Sequence, residues 1–431
     1  MSAVSPAAAS AVAEHRRNLL IECILLFAVG YNLILAVINA LAISISPSMA
    51  YAAELLAYGG CFVVGFLTVE RRKLAIVMSG IGLIALVAFF RFVATMSIDP
   101  KFLRDAIIPF AFVLLGAAYT GSAPKLFLRM AVIIGLIAAF ELAFPTVYGD
   151  VVNPKSYFVN TRGASEDSFW NEDSNLFVSA TRPGDRNFLA GSGLPRASSI
   201  FIEPVTMGNY IIFFCAALLT FWRSYGPRRI ALAIGTVLFL IVASDGRLAA
   251  GTCVLMLLMA PFLRRLDQRF AGVIFLLVIL SAWLLVWVTR TTQYEDTTLG
   301  RIFFTVDSIT HLSAASWLGL DMASAYRYFD SGISYFIASQ SILTVLAFVL
   351  AYSFVLWMPS SNGQLFKNLF IFAFALSLLV SNGYFSVKTG ALWWFTCGYL
   401  WQWKAMRSGL ADDSPSPNPG IGRHVGTAGV A

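Results

Sequence analysis

Long apolar runs broken by short polar connections dominate this chain. Leu19–Ile43 and Phe270–Thr289 carry almost no charge over the roughly 20 residues a helix needs to cross a bilayer. Hydropathy windows predict about twelve such spans. They lie near Leu19–Ile43, Met49–Val69, Leu74–Phe92, Ala106–Gly121, Leu126–Phe144, Ile200–Trp222, Ile230–Ala243, Leu248–Leu263, Phe270–Thr289, Ile333–Trp357, Leu365–Ser386 and Gly390–Trp403. The expected fold class is therefore all-α, a polytopic membrane bundle. It divides into an N-terminal segment, 1–18, a membrane domain, 19–405, and a tail, 406–431, whose Pro, Ser and Gly content predicts disorder.

The connections alternate in charge. His15-Arg16-Arg17, Arg71-Arg72-Lys73, Lys125 with Arg129, Arg223 with Arg228-Arg229, Arg264-Arg265 with Arg269, Lys367, and Lys404 with Arg407 fall on one side. By the positive-inside rule that side is cytoplasmic, so both termini are expected inside. The cation-free turn Ser44–Ser48 and two long loops, about 145–199 and 290–332, are then periplasmic in a bacterial inner membrane.

Composition agrees. Of 431 residues 58% are apolar and 12% charged, against about 45–50% and about 25% in a soluble domain, which excludes a soluble enzyme. The net charge of +7 sits in clusters at span ends rather than on one face, which points to membrane orientation and away from nucleic acid. The five cysteines lie in apolar runs without metal-ligand spacing. Met1–Ala13 lacks a charged n-region and the following run is too long for a signal peptide, so the first span is expected to be retained. No fixed-period or inverted repeat is visible.

Ionisable groups at span ends are the chemical candidates, because lipid solvates no charge. Glu22, Glu54 and Glu141 read as paired or snorkelling groups. Arg196 through Glu203-Pro204 to Tyr210 reads as a broken span end, Pro204 freeing a backbone carbonyl. Ser244-Asp245-Gly246-Arg247 places an arginine in an outside turn too short for a soluble loop. Gly300-Arg301, Trp317-Leu-Gly319-Leu-Asp321 and Tyr328-Phe329-Asp330-Ser331-Gly332 combine a cation, glycine turns and a carboxylate, though Asp330 with Ser331 also reads as a helix N-cap. Arg196, Arg247, Arg301, Glu203 and Asp330 are expected to converge on the outer face, where guanidinium forks suit phosphate oxygens. Tyr157, Phe169, Trp170 and Phe177 in the long loop fit stacking on sugars.

In order and spacing, Arg-x4-Phe-x-Glu-Pro-x3-Gly-x-Tyr at Arg196–Tyr210, Ser-Asp-Gly-Arg at Ser244–Arg247, Gly300-Arg301, and Gly319 before Asp330-Ser-Gly332 resemble the O-antigen polymerase and ligase superfamily. The likeness covers about half the chain and is closest to Wzy-type bacterial exopolysaccharide polymerases such as those of xanthan-like gums. It implies a membrane-embedded C-type glycosyltransferase, without metal or cofactor, that joins undecaprenyl-diphosphate-linked oligosaccharide repeat units with inversion. Arg196, Arg247 and Arg301 would hold diphosphate or developing charge, and Tyr210 would belong to the substrate site. Asp330, standing where ligase-type members carry histidine, or Glu203 would be the base. His311 lies upstream of that position, which favours a polymerase over a lipid A core ligase. Partners implied are the bilayer, a chain-length regulator or co-polymerase, and a flippase.

Two other classes fit the same spans. A carrier or flippase would need a polar path through the bundle, and a structural subunit of an export complex would use its loops to bind a protein partner.

Overall fold

In the computed structural model, residues 6–171, 173–182 and 186–401 are described. The chain folds as α1 (Pro6–Leu41), α2 (Pro47–Thr68), α3 (Arg71–Thr95), α4 (Pro100–Ala118), α5 (Ala123–Ala143), α6 (Pro145–Val152), α7 (Pro154–Arg162), α8 (Pro204–Phe221), α9 (Pro227–Ser244), α10 (Arg247–Arg265), α11 (Ala271–Thr289), α12 (Thr298–Thr310), α13 (Ala314–Trp317), α14 (Met322–Ala325), α15 (Gly332–Gln340), α16 (Ile342–Phe354), α17 (Ser361–Leu378) and α18 (Val387–Trp401). No strand occurs among the described residues. Proline opens α2, α4, α8 and α9, where its missing N–H has no helical partner to lose. The segment before Leu19 continues α1 rather than standing apart. Lys404, Arg407 and the tail lie outside the described residues.

Among the described residues eight helices, α1, α2, α3, α5, α8, α9, α10 and α11, are long and apolar enough to cross a membrane. A ninth span forms if the pair α15 and α16 counts as one. That pair was expected as the single straight span Ile333–Trp357. It breaks at Ser341, whose φ is 78°, and bends by 108°. The spans expected at Ala106–Gly121, Leu365–Ser386 and Gly390–Trp403 fall on α4, α17 and α18. These are helical, but α4 opens with Lys101, Arg104 and Asp105, α17 with a polar turn, and α18 has 15 described residues. Every residue from Val387 to Leu400 is buried, so α18 meets protein rather than lipid and tolerates polar groups. The exterior is the reverse. Leu83, Leu86, Phe89, Phe90 and Val93 of α3, and Leu276, Leu277, Leu280 and Leu284 of α11, are exposed, an apolar surface that suits lipid and not water.

Several charged side chains pair near helix starts. Glu54 near the start of α2 meets Arg104 of α4, and Lys388 of α18 meets Glu203 before α8. All belong to the end assigned outside. The opposite end is closed by amides and one cation. Asn368 Nδ2 donates to the carbonyls of Leu263 (2.9 Å) and Leu266 (2.8 Å), at the end of α10. Lys367, expected as a loop cation, is fully buried in α17. Its Nζ donates to the carbonyls of Ser353 (2.9 Å) and Leu356 (2.7 Å) at the end of α16. Such carbonyls have no helical donor and attract a cation, so Lys367 caps a helix and carries no topological signal.

Towards their last turns α4 and α18 touch backbone to backbone. A Cβ on Gly116 would lie 1.9 Å from the Phe395 carbonyl oxygen, and one on Gly398 would lie 2.0 Å from that of Val113. Small residues permit this approach, and dispersion and interhelical contacts replace the hydrophobic drive that lipid does not supply. Gly116→Val is therefore expected to cost about 1–3 kcal/mol or more by overpacking. Gly59→Ala, whose Cβ meets nothing within 4 Å, should stay within about 1 kcal/mol of wild type. Thermal unfolding in detergent checks both, and equal melting of the two variants would refute the close approach.

Candidate functional site

The irregular segment between Arg196 and Pro204 is pinned by a carboxylate. Glu141, at the end of α5 and wholly buried, accepts the backbone N–H groups of Ser198 (2.8 Å) and Ser199 (2.6 Å) and the Ser198 hydroxyl (2.8 Å). These bonds fix a short 3-10 turn, Ser199–Phe201, which begins at Ser199 (φ 52°) and is followed by the left-handed Ile202 (φ 56°). A β-branched residue rarely adopts that region, and such backbone costs on the order of 1–3 kcal/mol per residue. Glu141 was read as a paired or snorkelling group and instead sets this turn. Pro204 does not break a helix, as the sequence suggested. It starts α8.

Asp245, in the turn between α9 and α10, organises the rim. Its side chain has no exposure and pairs with Arg196 Nη2 at 3.1 Å. Its oxygens also accept from Asn187 N (2.8 Å), Asn187 Nδ2 (2.9 Å) and Phe188 N (3.2 Å). Arg186 donates to the carbonyls of Val242 (2.6 Å) and Ala243 (2.8 Å), capping the negative end of α9. The long loop is thereby tied down on a two-helix turn, with Arg196 held at its edge. Arg247, the next cation, is exposed and makes no side-chain hydrogen bond or ion pair among the described residues.

From this rim a chain of ion pairs crosses to the second loop. Arg182 Nη2 meets Asp296 Oδ2 at 2.8 Å, Arg301 Nη2 meets Asp296 Oδ1 at 2.7 Å, and Arg301 Nη1 meets Asp330 Oδ1 at 3.2 Å. The Tyr294 hydroxyl donates to Asp330 Oδ2 at 2.8 Å. The motif glycines explain the geometry. A Cβ on Gly300 would lie 2.2 Å from the Glu295 carbonyl oxygen, and one on Gly332 would lie 2.2 Å from that of Ser381. Ser331, not Asp330, caps α15, which leaves Asp330 for Arg301.

Glu203 belongs to a different cluster. Its oxygens meet Arg162 Nη1 at 2.9 Å and Lys388 Nζ at 2.8 Å, and the Thr206 hydroxyl donates to it at 2.5 Å. Burial alone would raise its pKa, but Lys388 and Arg162 outweigh burial and hold Glu203, just outside the span that begins at Pro204, down to about 2. The expected single convergence is therefore two clusters, Arg301 with Asp330 and Glu203 with Lys388. Neither Arg162 nor Lys388 stood out in sequence, since each pairs with a residue distant along the chain. Arg182, Tyr294 and Asp296 were missed for the same reason.

The other expected contacts resolve by burial. Tyr210 is 2% exposed, with its ring 5.3 Å from that of Phe201 and stacked on Phe214 at 6.2 Å. It supports the 3-10 turn from the core and presents no surface to a substrate. Tyr157 and Phe169 are buried in a satellite core under the loop, whereas Trp170 is 60% exposed. A cleft of about 450 Å³ beside the rim is lined by Arg182, Arg186 and Arg196 together with Asp150, Asp173 and Asn175. Among the described residues no group of three His, Cys, Asp or Glu side chains is placed to hold a metal ion.

The Glu203 cluster generates a pH signature. Its carboxylate has a pKa of about 2 in the fold, against an ordinary 4.5. As pH falls the unfolded chain takes up this proton first. The ion pairs thus contribute fully above about pH 4.5 and are lost as pH falls towards 2. Glu203→Gln should melt below wild type near pH 7, with the gap closing between about pH 5 and about pH 3. A gap that does not change with pH would contradict the pairing. No family model, no curated protein and no solved structure matches this chain.

Proposed function

We propose that this chain is a polysaccharide polymerase of the bacterial inner membrane, joining undecaprenyl-diphosphate-linked oligosaccharide repeat units on the periplasmic side. In this reading α4, α17 and α18 complete twelve passages of a C-type glycosyltransferase bundle, with both termini cytoplasmic. The observation that carries it is the Asp296 carboxylate, 45% exposed and held between the guanidinium groups of Arg182 and Arg301. A half-exposed carboxylate bridging two arginines occupies a place a phosphate could take, because both anions accept the same forked donors. Arg196 and Arg247 add positive charge at the same rim, at the depth of a polyprenyl diphosphate head group.

The chemistry follows from the neighbours. The acceptor sugar hydroxyl gives its proton to Asp330, its oxygen bonds to the anomeric carbon of the donor glycan, and the carbon–oxygen bond to diphosphate breaks. The bonding electron pair leaves with the diphosphate, whose growing charge falls to Arg301, Arg182 and Arg196. Attack opposite the leaving group inverts the anomeric carbon. Tyr294 aims Asp330 through its hydrogen bond. Glu203, with both oxygens committed to cations, suits a structural role better than that of base. A flippase would deliver the repeat units and a chain-length regulator would set product size.

Protein reconstituted in lipid should convert undecaprenyl-diphosphate-linked repeat units into longer lipid-linked ladders without nucleotide sugar. Asp330→Asn should slow this by about 10²–10⁴-fold. Arg301→Lys, which cannot bridge Asp296 and Asp330 together, should slow it on the order of 10²-fold. Full activity in both variants would remove this site from the reaction, and labelled lipid crossing the bilayer without ladders would favour a carrier.

A further inference from the structure

A polymerase of this kind has two diphosphates to hold. The donor loses its diphosphate, while the acceptor keeps one and reacts at a hydroxyl on the far end of its glycan. Besides the pairing of Glu54 with Arg104, two sets of charges at the outer end share no ion-pair partner. One is the chain of Arg182, Asp296, Arg301 and Asp330 with the Arg196–Asp245 pair beside it. The other is Arg162, Lys388 and Glu203. Different elements border them. Arg196 is fastened to the α9–α10 turn, whereas α7, which carries Arg162, packs on α1 and α2.

The second set suits an anion on three counts. It holds two cations against one carboxylate. Lys388 is 3% exposed and directed to Glu203, a fixed positive charge at the base of the cluster. Above it Arg162 is 55% exposed, and one guanidinium nitrogen meets Glu203 while its other donors have no partner among the described residues. Its guanidinium lies 4.5 Å from the centre of the Phe158 ring, which holds the fork in place at little entropic cost. The acceptor's diphosphate stays intact, a glycan's length from the reacting hydroxyl, and suits a set without a base. The first set pairs three arginines with Asp245, Asp296 and Asp330, and Asp330, the base, places it beside the diphosphate that leaves.

We infer that Arg162 and Lys388 form a second diphosphate subsite, which holds the lipid-linked acceptor while the arginine chain holds the donor. This rests on the polymerase reading and adds the division of the two head groups between two sites.

Native mass spectrometry of the full-length protein, with undecaprenyl diphosphate as the probe, tests the subsite without requiring activity. Wild type should bind two equivalents and undecaprenol none. Arg162→Ala, a change at a half-exposed position that leaves the Lys388–Glu203 pair in place, should weaken one equivalent about tenfold or more. Arg162→Lys should restore part of it, and Arg301→Ala should weaken the other. One equivalent in wild type, unaffected by Arg162→Ala, would overturn the second subsite and leave the polymerase reading intact. No binding at all would overturn both. Displacement of the Arg162-dependent equivalent by phosphatidylglycerol would mark a general anionic-lipid contact and overturn the acceptor assignment.

Discussion

A carboxylate shielded from water has to find donors within the protein, and Asp245 finds four. With no exposed side-chain surface, it gathers Arg196, both nitrogens of Asn187 and the backbone of Phe188 into one turn between two helices. A buried carboxylate left unpaired costs several kcal/mol, so the loop cannot lift from the rim without an unpaired charge. Glu141 imposes the same condition further along the same loop, on the 3-10 turn at Ser199. Between them the two acids determine where Arg196 and Glu203 stand. The irregular backbone is tolerated at this depth because protein supplies the hydrogen bonds that lipid cannot.

The same constraint orders the rest of the bundle. At the outer end charged groups pair across helices that begin or finish there, from Glu54 and Arg104 to Arg301 and Asp330. At the other end Lys367 and Asn368 close the last turns of α16 and α10. Towards the last turns of α4 and α18, Gly116 and Gly398 bring the two helices into backbone contact. A rigid contact of that kind lets loops on the opposite face hold opposed charges in register, as a reaction between two lipid-anchored glycans requires.

Apolar periodicity located the helices well, because a span must be apolar wherever it meets lipid. Where helices are enclosed by others, as α17 and α18 are, apolarity alone does not mark a span, since a protein environment accepts Lys367 and Asn368. The motif around Ser244–Arg247 was visible, yet its weight was placed on Arg247 when Asp245 makes the bonds. Glu203 and Asp330 were picked out as candidates, but their partners were not. Arg162 and Lys388 lie 41 and 185 residues from Glu203, a separation that no local spacing rule reaches. Tyr210 was assigned to the substrate site from its motif, and only packing reveals that its ring faces Phe201 and Phe214.

What binds between Arg182 and Arg301 decides the account. The most direct measurement is a structure of the protein in lipid with undecaprenyl diphosphate bound. The expected result is a phosphate in the place of the Asp296 carboxylate, within hydrogen-bond reach of Arg301 and beside Arg196, with Asp330 facing the sugar side. A head group held elsewhere, with Asp296 still bridging both arginines, would contradict it.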